Sequence, residues 1–102
     1  MISEKEVMER LRPIKDPEVH ISIVDLGLIY GVDVQDEGKK LNVRMTLTSP
    51  MCPAGPELIA MVKATAELIP DVQEASVQMV WQPPWDPKTM ASDDAKDILG
   101  IW

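Results

Sequence analysis

The sequence predicts a small α+β domain of element order α-β-β-α-β-α, a three-stranded sheet with helices on one face. Three observations carry this. Two alternating apolar runs, 29–35 and 41–48, flank Asp36-Glu37-Gly38-Lys39, which is hairpin chemistry with Gly38 available for positive φ. A helical apolar stripe runs from about Pro56 to Ile69. A third alternating run, from Ala75 to Trp81, follows the stop at Pro70-Asp71.

Each element has a local cause. Ser3-x-x-Glu6 is a capping box, backed by Val7, Met8 and Leu11, and Pro13 ends this first helix. Residues 15–28 read as a loop opened by Asp16-Pro17. In the first strand Tyr30, Val32 and Val34 alternate with Gly31, Asp33 and Gln35. The second places Leu41, Val43, Met45 and Leu47 on a buried face and Asn42, Arg44, Thr46 and Thr48 on a polar one. The long helix starts at Gly55-Pro56, with glycine as cap and proline at the first position. Its core stripe is Leu58, Met61, Val62, Thr65 and Ile69, widened by Ile59, Ala66 and Leu68. The third strand alternates Ala75, Val77, Met79 and Trp81 against polar partners, which makes Trp81 a core residue. Pro83-Pro84-Trp85-Asp86-Pro87 reads as a stiff extended arm. Ser92-Asp93-Asp94 opens a last short helix that stops at Gly100.

Size and charge narrow the function. A chain of 102 residues is expected to form one domain, 1–102, with 83–102 as a C-terminal arm and short helix. It is 45% hydrophobic and 26% charged, ordinary for a globular protein. The net charge of −7 argues against nucleic-acid binding, which needs Lys and Arg against phosphates. There is no charged-then-apolar leader and no long apolar run, so neither secretion nor membrane association is expected. One cysteine cannot form an internal disulfide, which fits a reducing cytoplasm. Two large rings, Trp85 and Trp102, fall on a short tail and should dock on the domain or on a second subunit.

The chemistry concentrates between Met45 and Glu57. This stretch joins a strand to a helix and holds the one cysteine, Cys52, with Pro50, Pro53 and Pro56. A free cysteine is commonly a small buried hydrophobe. Prolines on both sides and a helix N-terminus just beyond, whose unpaired N–H groups favour a thiolate, point instead to a functional thiol. Asp16, Glu18, Asp25 and the only histidine, His20, lie within ten positions of one another. His20 reads as an ordinary loop residue. The hydroxyls of Thr46 and Thr48 lead towards the Cys52 turn, as β-formers or as donors lining a site.

Asp16-Pro17-Glu18, Val24-Asp25-Leu26-Gly27-Leu28-Ile29-Tyr30, Met45-Thr46-Leu47-Thr48-Ser49-Pro50-Met51-Cys52-Pro53 and Trp81-Gln82-Pro83-Pro84-Trp85 resemble, in that order, the SufT/PaaD-type family of iron–sulfur cluster assembly and maturation factors. The resemblance spans about Ile2 to Gly100. It implies a fold similar to the NifU C-terminal domain, and a maturation factor that is not an enzyme. It implies action as a transient cluster carrier or as an adaptor between scaffold or carrier proteins and apo-clients. Carried onto this chain, it makes Cys52 the functional thiol and cluster ligand, with Asp16, Glu18, Asp25, Thr46, Thr48 and Ser49 around it. NifU-type domains use a Cys-x-x-Cys pair and PaaD members carry a cysteine-rich C-terminal region; this chain has neither and stands nearer the short SufT-like members. A cluster takes four thiolates, whereas one chain supplies one and a homodimer two. Small thiols, carboxylates or client cysteines would complete the set.

Other readings compete. A thiol enzyme with Cys52 as nucleophile needs a general base in reach, and no pattern aims His20 at Cys52. A mononuclear zinc or iron site from Cys52, His20 and carboxylates lacks a ligand-spacing signature. An accessory role in a phenylacetate-type aromatic-degradation complex is the alternative within the resemblance.

Overall fold

The computed structural model describes residues 2–17, 19–48 and 55–100. The elements are α1 (Glu4–Leu11), β1 (Ile29–Gln35), β2 (Lys40–Met45), α2 (Gly55–Glu67), β3 (Glu74–Met79), α3 (Pro87–Met90) and α4 (Asp93–Leu99), with a 3₁₀ turn at Asp36–Gly38. The architecture is α+β, with a sheet of strand order β1-β2-β3. β1 and β2 form the antiparallel hairpin, whereas β3 returns through α2 to lie parallel to β2, Leu41 opposite Ala75 and Met45 opposite Met79.

Local chemistry explains the element ends. Ser3 Oγ accepts from the Glu6 N–H at 3.2 Å, capping α1. In the hairpin turn Gly38 takes φ 92°, as its sequence position requires. Ser92 caps α4 through the Ala95 N–H, and Gly100 ends that helix in the left-handed region. The core lies between the sheet and α1 and α2, where Leu11, Leu41, Val43, Met45, Leu58 and Val62 are closed to solvent. Loop 13–28 adds Ile14, Ile21, Ile23, Leu26 and Leu28 to it.

Several expectations change. The stripe of α2 is narrower than its sequence pattern, with Leu58, Val62 and Ala66 facing the core. That four-residue spacing leaves Met61 to one side at 42% exposed, and Leu68, beyond the last turn, at 83%. Gly55 is the first residue of α2 rather than its cap, and a side chain there would come within 2.8 Å of Leu47 Cδ1. β3 stops at Met79, and Trp81, 42% exposed, is not a core residue. β2 has ended at its neighbour Met45, and Pro83 and Pro84 have no N–H with which to extend the ladder. The arm is also not wholly extended. Asp86 Oδ1 accepts from the Lys88 N–H at 3.0 Å and Pro87 opens a helical turn, adding α3 to the expected order. Trp85 docks on the domain as expected, its indole N–H donating to the Leu26 carbonyl at 2.8 Å. Trp102 lies outside the described residues.

Candidate functional site

The site is built on one irregularity of the hairpin. Ile29 pairs with Met45 and Gly31 with Arg44, so Tyr30 is an extra residue, a β-bulge. The bulge takes Tyr30 out of the alternation it shares in sequence with Val32 and Val34. Its side chain enters a cleft of about 470 Å3 beside Arg44. Gly31 matters for a second reason: any Cβ there would collide with the Arg44 guanidinium, so glycine lets that group lie flat across β1. Asp33 holds it, with Oδ1 accepting from Nη2 at 3.3 Å. Arg44 Nε is buried 3.2 Å from Asp33 Oδ2, an ion pair too bent to be a hydrogen bond.

The arm forms the opposite wall. The Tyr30 hydroxyl donates to the Pro83 carbonyl at 2.7 Å and lies 3.6 Å from Met90 Sδ. The Asp86 N–H also points at that sulfur, at 3.3 Å. Gly27, at φ 80°, passes so close to the Met90 carbonyl that only glycine fits. Burial pushes the Tyr30 phenol above its usual pKa, and a hydrogen bond with the Thr46 side chain pulls it partly back. Thr46 is 1% exposed and fixed at the end of β2, its N–H donating to the Leu28 carbonyl at 2.8 Å. Thr48 is half-buried.

The acidic residues of the loop take different places. Asp16 is buried, and its backbone closes the loop: its N–H donates to Ile21 at 2.9 Å and its carbonyl accepts from His20 at 2.7 Å. His20 is exposed with φ 59°. Asp25 accepts from Arg12 Nη1 at 2.5 Å, and its carbonyl accepts from the Ser92 N–H at 2.7 Å, so it ties α1 to α4. Hydrogen bonds to Glu9 and then to Asp25 raise the Arg12 pKa. The structure therefore brings Thr46 to Tyr30, and Tyr30 to Arg44, Pro83 and Met90. Cys52, Ser49 and Glu18 lie outside the described residues. Among the described residues, no three His, Cys, Asp or Glu side chains are grouped to hold a metal ion, and no helix is long and apolar enough to cross a membrane.

Tyr30, Arg44 and Met90 escape the sequence reading. A glycine inside an otherwise alternating strand is the signal for the first two, since it marks a bulge or a close approach. Met90 carries no such signal.

Comparison with known proteins places this geometry in a family. Residues 4–78 match the family model described as iron-sulfur cluster assembly protein. The Fe-S protein maturation auxiliary factor SufT of Staphylococcus aureus (strain USA300) is 51% identical over 86 residues, covering 84% of this chain and 96% of that protein. The auxiliary factor YitW of Bacillus subtilis (strain 168) is 40% identical, covering 96% and 94%. A crystal structure of a DUF59 domain from Bacillus anthracis superposes with a TM-score of 0.87 at 38% identity, covering 97% of this chain and 92% of that one. With three quarters of its length matched by one model and close relatives along nearly all of it, the chain belongs to the iron–sulfur cluster assembly protein family, beside its SufT-like maturation auxiliary factors.

Proposed function

We propose that this protein carries an iron–sulfur cluster transiently from a scaffold or carrier protein to apo-proteins in the cytoplasm, with Cys52 as its thiolate ligand to the cargo. The observation that carries the reading is a single cysteine in a member of a cluster-assembly family. Clusters normally take four thiolates, so one ligand per chain, or two in a homodimer, makes a labile site. Lability suits a hand-over and opposes storage. The remaining ligands come from the donor, the client or a small thiol.

The described residues on either side support this. Thr46 is held at the end of β2, and Leu47 packs against Gly55 at the start of α2. The connection that carries Cys52 thus leaves and rejoins the domain at two neighbouring anchored points. Asp16, Glu18, Asp25, Thr48 and Ser49 complete the proposed surroundings of the thiol. Turnover of a substrate by Cys52 is not part of the proposal: the role is transfer, not catalysis. Anaerobic reconstitution with iron and sulfide tests it. Wild type should develop the visible absorption of a cluster and Cys52→Ala should not, with melting temperatures unchanged. Rescue of a maturation-deficient host by Cys52→Ala would replace the carrier by a thiol-independent adaptor.

A further inference from the structure

The Tyr30–Arg44 cleft is built for more than its own packing. At about 470 Å3 it falls within the range of small-ligand sites. Ile29, Val80, Pro83 and Met90 supply apolar wall, and Tyr30 and Gln82 add polar groups. Arg44 is the one charged residue among the described residues lining it, although the chain as a whole carries −7. A guanidinium has five N–H groups in a planar fork. Asp33 engages the Nε–Nη2 edge, which orients the plane and leaves the Nη1 N–H groups without a protein partner among the described residues. Gly31 removes the side chain that would displace the guanidinium. Bulge, glycine and carboxylate together pre-organise a cation beside an apolar wall, which lowers the ordering cost of binding an anion.

We infer that this cleft binds a small organic carboxylate, its anionic group on Arg44 Nη1 and its aliphatic body against Val80, Pro83 and Met90. A carboxylate supplies a charged acceptor for the open Nη1 N–H groups; a neutral ligand offers only a weaker one, and an ammonium none. A phosphate lacks the apolar body that the walls would cover. The site goes beyond the cluster-transfer reading and does not depend on Cys52.

The test uses the full chain, with backbone amide shifts followed by NMR during titration with 4-methylpentanoate and, separately, its neutral amide 4-methylpentanamide. Saturable shifts at Gly27, Gly31 and Gln82 are expected with the acid, and binding at least about tenfold weaker with the amide. Arg44→Gln should weaken the acid about tenfold or more without moving the amide. Gly31→Ala, which displaces the guanidinium, should do the same. Absence of saturable shifts with the acid, or equal binding of acid and amide by the unaltered protein, overturns the inference even if neither variant folds. Unchanged acid binding by a folded Arg44→Gln protein also overturns it.

Discussion

Replacing Trp85 asks whether the C-terminal arm is part of the fold or an appendage. The indole is partly buried against the core and donates to the Leu26 carbonyl at 2.8 Å. Trp85→Phe keeps most of the apolar surface and deletes the N–H, leaving a carbonyl short of a donor, a loss of about 1 kcal/mol. Trp85→Ala also removes the ring. If roughly 100 Å2 of apolar surface leaves the water on docking, that adds about 2.5 kcal/mol, for a total of about 3.5 kcal/mol. In a domain of this size 1 kcal/mol moves the melting temperature by roughly 4–8 °C. Circular dichroism melts should therefore fall by about 4–8 °C for the phenylalanine variant and by about 14–28 °C for alanine. The arm also holds the Met90 wall against Gly27 and Tyr30, so the alanine variant should loosen the cleft as well. A melting temperature within about 2 °C of wild type for Trp85→Ala would refute the docking argument.

Three further outcomes follow from the same contacts. Truncation after Pro84 removes Trp85 and the Ser92 N–H to Asp25 bond together, and should lower the melting temperature further than Trp85→Ala alone or change the sedimentation behaviour. Tyr30 is the only tyrosine, so phenolate absorbance near 295 nm reports it alone, and its midpoint should lie above the ordinary 10.0 because burial opposes the anion. The sign for stability follows: the unfolded phenol ionises first, so stability is complete below pH 10 and declines as pH rises through the folded value, and Tyr30→Phe should flatten that decline. Gly27→Ala places a methyl group against the Met90 carbonyl at φ 80° and should cost about 1–3 kcal/mol, read in urea denaturation.

Periodicity makes most of the fold legible in the sequence alone. The hairpin, the capping box at Ser3, the Gly100 stop and the inward face of β2 all depend on interactions a few residues apart. The misreadings lie where that locality fails. Met61 and Trp81 fit apolar patterns, yet their exposure depends on where α2 rotates and where β2 ceases to offer a partner, both set by tertiary packing. The parallel placement of β3 is equally non-local. At the site, Thr46 was legible as the polar end of a strand leading into the cysteine turn. Its partner Tyr30 was not, because a single inserted residue reverses the face of a side chain while leaving composition untouched. Asp25 looked like one of a loop's acidic group, and only the folded chain puts Arg12, thirteen residues away, against it. The resemblance to SufT-like factors held because it rested on four ordered motifs that span elements, a signal independent of period.

In the proposed transfer Cys52 is the thiolate through which a cluster would pass. The most direct measurement is anaerobic transfer from the reconstituted protein to an apo-ferredoxin, followed by the client's circular dichroism. Wild-type protein should load the ferredoxin in proportion to the cluster supplied, and Cys52→Ala, folded to the same melting temperature, should leave it at the level of free iron and sulfide. Equal loading by the two proteins would contradict the central claim.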